Sequence, residues 1–323
     1  NPNLLFAGTE FGVFFILVGG NNWVQLTAGI PTIGVRDISI QKRENDLVLA
    51  TFGRGFYILD DYTPLRELSA EMTEKEAMIF PVKTAWQYIE SNPLGGGGVG
   101  FHGASMYAAE NAPYGAVFTY YVKDGVESPT SIRRKKEKEA RDKGEDITYP
   151  TYEEFVEEDN YEGSYLIFVI KDAAGNEIRK IKTGAGTGIN RITWDMRSAS
   201  SRPINVYGDN HGSGPLVLPG KYTVEMYRSD NGAISKMVEP VSFELKPLEN
   251  SSLARQTEAN IAFKQDMNEF ARILNGAQAQ IAEYNKRLEH VKAAIQKYPG
   301  ADLAWLEEVK KLDFKALEKD LHV

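Results

Sequence analysis

The carboxylates Glu153, Glu154, Glu157, Glu158 and Asp159 are the densest set of side chains in this sequence that could collect a cation. Oxygen ligands of this kind suit calcium, but an EF-hand needs Asp or Asn at alternating loop positions around a central Gly, and that spacing is absent. Asp209 and His211, inside Gly208-Asp209-Asn210-His211-Gly212, offer two metal ligands where a site needs three or four. The glycines of Asn92-Pro93-Leu94-Gly95-Gly96-Gly97-Gly98 could cradle a phosphate, yet no Gly-Lys-Ser/Thr follows them, and a connector is the simpler reading. His102 is a lone imidazole beside Gly103. The chain has no cysteine, which removes thiol catalysis, thiolate metal sites and disulfides. No Gly-x-Ser-x-Gly marks a serine nucleophile. Trp23, Tyr57, Trp86 and Tyr88 are aromatic faces that could stack on sugar rings, although such residues more often serve core or rim packing. No cofactor or metal site is expected from these patterns.

At 323 residues the chain suits two or three domains. Its formal net charge of -8 argues against a general nucleic-acid binder. No apolar run approaches the 18 residues or so needed to span a membrane as a helix. The opening NPNLLFAGTEFG reads as the inside of a longer polypeptide rather than as a signal peptide.

The elements that must position these groups are mostly strands. Leu4–Gly8, Val13–Leu17, Trp23–Leu26, Val35–Ile40, Leu47–Thr51 and Phe56–Leu59 are short apolar runs separated by Gly, Asn and charged turns. The last two flank Gly53-Arg54-Gly55 and predict an antiparallel hairpin with both faces buried, closed by Asp60-Asp61. Closely spaced strands of this kind are what β-propeller blades look like.

Phe14–Leu26 resembles an Asp-box, Ser-x-Asp-x-Gly-x-x-Trp, of the BNR-repeat propellers that include sialidases, xyloglucanases and the sortilin (Vps10) family. Gly20 and Trp23 occupy the Gly and Trp positions, while Ile16 and Val18 stand where the family has Ser and Asp. In that family the Asp accepts backbone N–H bonds and ties down the turn, which Val18 cannot do. The later ATFGRGFYILDD is similar to the last blade of bacterial "glycosyl hydrolase, BNR repeat" proteins. The resemblance implies that residues 1–68 are the last, incomplete blades of a propeller whose remaining blades lie upstream.

Residues 69–113 read as a connector. From residue 114 to 247 six strand-like runs, 115–122, 165–172, 177–183, 189–195, 220–227 and 239–245, predict an immunoglobulin-like β-sandwich with Trp194 in its core. IKDAAGNEIRKI with NRITWDMR and LPGKYTVEM resembles the FlgD-type Ig-like modules of secreted bacterial proteins, which act as spacers or docking surfaces. A charged insertion, 131–162, interrupts the sandwich. Its first part is basic and its second acidic, so the two halves can neutralise each other in a solvated hairpin or helix. Ser198–Leu218 is a long loop.

Residues 248–323 carry the clearest periodicity. Phe263, Met267, Phe270, Leu274, Ala277, Ile281, Tyr284, Leu288, Val291, Ile295 and Tyr298 alternate by four and three, a heptad seam. Asn250-Ser251-Ser252 is its cap candidate and Pro299-Gly300 its stop. A shorter helix, Asp302–Leu321, should fold back to make a long antiparallel hairpin. It can cover only the half of the seam nearest Pro299. The half around Phe263, Met267, Phe270 and Leu274 must meet the sandwich, a missing C-terminal helix or another protein.

The expected fold is therefore mostly β with an α-helical C-terminus: partial blades, an Ig-like sandwich and a helical hairpin. The expected function is a non-catalytic, extracytoplasmic interaction or scaffold region of a larger propeller protein. Its partners would be a protein, its own upstream propeller or the missing helix, with a glycan as a further option. The alternative is part of a secreted glycoside hydrolase of the sialidase or xyloglucanase kind, with catalytic residues upstream. That chemistry, implied by the resemblance, needs two carboxylates about 5–9.5 Å apart. Here the candidates are Glu10, Asp37, Asp60 and Asp61, and adjacent carboxylates on one strand point to opposite faces. A sialidase would also need an arginine triad, and Arg36, Arg43, Arg54 and Arg66 form no recognisable pattern.

Overall fold

A computed structural model describes residues 3–90, 109–204, 212–249 and 258–312. The chain divides into two compact units, Asn1–Asp195 with Gly220–Lys246, and Met196–Pro219 with Pro247–Val323. The fold is mostly β, with long helical sequence only toward the C-terminus.

The first unit opens with two three-stranded antiparallel sheets. β1 (Leu4–Thr9), β2 (Gly12–Leu17) and β3 (Val24–Leu26) form one, and β4 (Val35–Gln41), β5 (Asp46–Thr51) and β6 (Phe56–Leu59) the other. Strand alternation sends Leu4, Val13 and Phe15 from the first sheet and Val35, Leu47 and Leu49 from the second into one apolar core, closed by Tyr62. Gly53 and Gly55 make the β5–β6 turn at φ +80° and +71°, a conformation that glycine adopts without a Cβ penalty. Thr51 closes the turn by donating from its N–H (3.0 Å) and its hydroxyl (2.7 Å) to the Gly55 carbonyl. The hairpin is not buried on both faces as its composition suggested. Phe56 and Ile58 are exposed, because β6 is an edge strand and the shared core covers only the Tyr57 and Leu59 side. In the turn that resembles an Asp-box, Val18 is also exposed. Gly20 N–H closes that turn on the Leu17 carbonyl at 2.8 Å, and Val18 N–H bonds the Asn3 carbonyl at 2.9 Å, so the backbone supplies what a carboxylate would otherwise do.

A 3-10 turn (Thr63–Glu67) and α1 (Ala70–Glu74), capped by the Ser69 hydroxyl, lead to β7 (Ala77–Ile79) and β8 (Ala85–Gln87). These two short strands, in the stretch read as a connector, enter two different sheets. β7 joins β9 (Ala116–Val122) and β12 (Gly188–Trp194) in the order β12-β9-β7. β8 joins β10 (Ser164–Asp172), β11 (Glu177–Gly184), β13 (Gly220–Asp230) and β14 (Ala233–Pro247) in the order β11-β10-β13-β14-β8. The two sheets face each other as an immunoglobulin-like sandwich. Phe118 stacks on Phe168 (ring centroids 6.4 Å apart) and meets Phe243 edge-on at 5.2 Å. Trp194, fully buried as expected, meets Tyr222 (5.5 Å) and Phe243 (6.1 Å) edge to face, geometries that add to simple area burial.

The charged insertion is two helices, α2 (Pro129–Lys143) and α3 (Tyr152–Asp159). Ser128 caps the first. Thr151 and Glu154 form a capping box on the second, and Gly144 at φ 71° ends the first. The basic and acidic halves meet through Arg133, whose guanidinium grips Glu158 (2.8 Å) and lies 5.3 Å from the centre of the Phe155 ring.

In the second unit α4 (Glu258–Lys297) is a 40-residue helix, about 60 Å long at 1.5 Å per residue. The cap candidate Asn250–Ser252 lies outside the described residues, as do Leu317 and Leu321 of the second helix. α5 (Trp305–Lys311) comes next and folds back on the end of α4.

Candidate partner-binding surface

The heptad seam of α4 divides into two halves with different surroundings. At the C-terminal end α5 lies over it. Ile295 is buried, 6 % exposed, and a hollow of about 510 Å³ lies between Val291 and Ile295 of α4, Tyr298 just past its end, and Trp305 and Val309 of α5. At the N-terminal end Phe263 (65 % exposed), Met267 (47 %) and Phe270 (59 %) stand in solvent, and Leu274 is half-buried. Ile273 is exposed beside them, one position off the seam, and sequence periodicity passed over it for that reason.

Part of the long loop flanks this half, a neighbour that sequence periodicity does not reveal. Residues Met196–Ser198 and Gly214–Val217 run antiparallel. Ser198 N–H donates to Pro215 O (3.0 Å), Gly214 N–H to Ser198 O (2.9 Å) and Val217 N–H to Met196 O (2.9 Å). Gly214 is needed here, since a Cβ would run into the Ala199 carbonyl and the Ser198 hydroxyl. The Asn275 side-chain amide donates to the carbonyl and hydroxyl of Ser201, each at 3.4 Å, and so tethers the loop to the helix. Between them lies an open groove of about 380 Å³, with Arg197, Pro215 and Leu216 on the loop side and Phe263 and Met267 on the helix side. Lys264 and Asn268 also line it, so its walls mix apolar and polar side chains. Asp209 and His211, at the loop's tip in sequence, lie outside the described residues, as do His102 and the glycines Gly95–Gly98.

Of the four aromatic residues that could stack on sugars, only Tyr57 and Trp86 lie on strands, in two different sheets, and no ring contact joins the four among the described residues. Trp23 is exposed just before β3. Tyr57 packs against the N-terminal core. Trp86 is half-buried on β8, and Tyr88 meets Tyr114 edge to face at 4.9 Å.

Several of the carboxylates have a local occupation. Glu10 is an exposed partner of Arg36 at 3.9 Å. Asp37 accepts from the N–H of Ile38. Asp61 has φ 49°, and its carboxylate accepts from both the N–H and the hydroxyl of Thr63, which starts the 3-10 turn. Asp60 is held above the usual carboxylate range, chiefly by burial and then by the Asp46 charge, with Arg191 and Lys83 opposing. In the insertion Glu154 serves the capping box and Glu158 serves Arg133, while Glu153, Glu157 and Asp159 face solvent. Among the described residues no three His, Asp or Glu side chains are grouped to share a metal ion, and no helix is long and apolar enough to cross a membrane.

No family model matches this chain, and no curated protein matches it. Among solved structures, part of dimeric latent PorU from Porphyromonas gingivalis is similar at 12% identity and a TM-score of 0.24, covering 76% of this chain and 15% of that one. The extracellular domain of a hybrid two-component system from B. thetaiotaomicron is similar at 9% identity and a TM-score of 0.19, covering 76% and 24%. The chain thus spans less than a quarter of the length of either protein, and at TM-scores this low the likeness carries no functional argument.

Proposed function

We propose that this region is a non-catalytic, extracytoplasmic interaction or scaffold part of a larger propeller protein, and that the N-terminal half of α4 is its docking surface. The observation that carries the reading is the stripe Phe263–Met267–Phe270, exposed with Ile273 beside it on a 40-residue helix. Contiguous apolar surface on a soluble domain marks a site of association more often than chance exposure does. The helix-in-groove mode uses anchors at this i, i+4, i+7 spacing. The structural roles of Asp61, Glu154 and Glu158 support the non-catalytic part of the reading, since each carboxylate is committed to a cap or an ion pair. The resemblance of Phe14–Leu26 to an Asp-box supports the propeller, and the absence of cysteine is compatible with an oxidising compartment.

The test is a photoreactive amino acid placed at Phe270, with the same group at Gln265 on the outward face of the helix as a control, in cells that make the whole protein. Adducts at position 270 and not at 265 support the reading. Equal labelling at both, or none at either, overturns it. Fractionation of the same cells reads the compartment directly, and recovery in the cytosol would remove the extracytoplasmic part.

A further inference from the structure

Taking the α4 stripe as a docking surface, we propose that its occupant is the same stripe of a second copy of this chain, packed antiparallel. The seam is one continuous surface, and its C-terminal half already carries a helix, α5, seated around Ile295. The spacing does not change on passing into the exposed half, so the shape that fits one half fits the other, and a helix is the matching occupant.

The exposed half is also self-complementary. Phe263, Met267, Phe270 and Leu274 are spaced four, three and four residues apart, a pattern that reads the same from either end. Two copies related by a twofold axis between Met267 and Phe270 set Phe263 against Leu274 and Met267 against Phe270, the isologous arrangement of a C2 dimer. The same register leaves no like charges opposed on the flanks. Lys264 comes opposite Ala271, and Asp266 comes opposite Ile273, whose exposed side chain is thereby covered. The charged residues of the outer face, Glu269 and Arg272, already pair within their own helix and have no part in the contact. A stripe of about five apolar side chains is smaller than a stable obligate interface, so the dimer is reversible and depends on concentration.

Sedimentation of the 323-residue chain over a wide concentration range tests the association. A monomer–dimer equilibrium is expected, weakened by about tenfold or more in Phe270→Glu and unchanged in Gln265→Glu. The cysteine-free sequence permits a clean test of register. Met267→Cys chains mixed with Phe270→Cys chains should form a disulfide-linked dimer under mild oxidation faster than either variant alone. Self-cross-linking of Met267→Cys that outpaces the mixture would mean a parallel pair and overturn the proposal. A monomer at every concentration, with no mixed cross-link, also overturns it. In that case capture of a different protein by the photoreactive group at 270 would leave the docking reading standing, and no capture would remove both.

Discussion

Arg191, on β12 of the sandwich, donates hydrogen bonds to the main-chain carbonyls of Asp61 at 3.0 Å and its neighbour Asp60 at 2.8 Å. The contact spans 130 residues of sequence and joins the end of the β4–β6 sheet to the sandwich. Lys83 makes a second tie, donating to the carbonyl and the carboxylate of Glu44, both at 3.3 Å. The N-terminal sheets are therefore fastened to the rest of the first unit by two cations that grip turn backbone.

Arg191→Met should loosen that fastening while leaving the sandwich core intact. Losing two bonds from a charged donor to carbonyls at a partly exposed joint costs about 1–2 kcal/mol. Faster amide exchange at Asp61–Thr63, with unchanged exchange in β9 and β10, is the expected signature. Unchanged exchange at the joint would show that Lys83 and the apolar contacts hold it alone.

Acid should weaken the five-stranded sheet through Glu225. This carboxylate is buried in the middle of β13, 2.7 Å from the Lys171 ammonium, 3.0 Å from the Tyr227 hydroxyl and 3.4 Å from Lys236. The Lys171 hydrogen bond, helped by Tyr227 and opposed by desolvation, holds Glu225 below the usual carboxylate range. Its contribution is fully present above the unfolded carboxylate value of about 4.3 and is lost as pH falls through the lower folded value. Lys171 is raised, chiefly by the same hydrogen bond, so the pair is also lost at the alkaline end, as pH rises through the folded lysine value. Glu225→Gln should lower stability at neutral pH and flatten the acid limb of a pH–stability curve. A variant whose curve parallels the parent would place the acid sensitivity elsewhere.

The insertion should come apart without taking the sandwich with it. Arg133 holds Glu158 below the ordinary carboxylate range through direct hydrogen bonds, and Thr130 adds another. No residue of α2 or α3 is buried, so the pair and the Phe155 ring are the main contacts between the helices. Glu158→Gln should speed amide exchange in both helices and leave the melting temperature of the sandwich nearly unchanged. A large fall in melting temperature would mean that the insertion supports the sandwich.

How much of the fold was legible in sequence depends on which interactions are local. The strand runs from Leu4 to Leu59 and from Ala116 to Leu245 could be read because β-rich residues, Gly-Asn turns and Asp172-Ala173-Ala174-Gly175-Asn176 act over a few residues. That last turn is held by the Asp172 carboxylate accepting from Ala174 and Asn176 N–H groups. β7 and β8 were missed because three residues carry no period, and each strand forms only by pairing with a distant partner. The exposure of Phe56 and Ile58 was unreadable because an apolar run does not say whether its strand is central or at an edge. On α4 the seam was plain, but the loop beside Phe263 and Met267 was not. Arg197 and Leu216 carry no signal pointing to a helix far along the chain.

Gly115→Ala should be among the more damaging single changes in the sandwich. Gly115 sits at φ +137°, a conformation that L side chains rarely adopt, and an added Cβ would collide with the Trp194 carbonyl. β9 and β12 pair through Ala116 and Trp194 immediately beyond it, so relief would have to come from the core itself. A loss of at least about 2 kcal/mol in denaturant unfolding is expected. A near-neutral result would show that the entry to β9 can move without disturbing Trp194.

The two halves of the α4 seam should respond differently to the same kind of truncation. Ile295 is 6 % exposed beneath α5, and Ile295→Ala removes buried methyl groups that the short α5 cannot readily replace. Such a deletion costs about 2–5 kcal/mol where the site is well packed, and the hollow beside Ile295 argues for the lower part of that range. Phe270 is 59 % exposed, so Phe270→Ala should cost well under about 1 kcal/mol in a dilute monomer. The comparison separates folding from association when it is made at two protein concentrations. Ile295→Ala should destabilise equally at both, since its contacts lie within one chain. Phe270→Ala should be nearly silent when dilute and should lower the melting temperature relative to the parent when concentrated, because the parent gains stability from self-association and the variant does not. A large loss for Phe270→Ala at the lowest concentration would mean that the stripe is already covered within its own chain, and the exposed face would then be part of the fold rather than a surface for a partner.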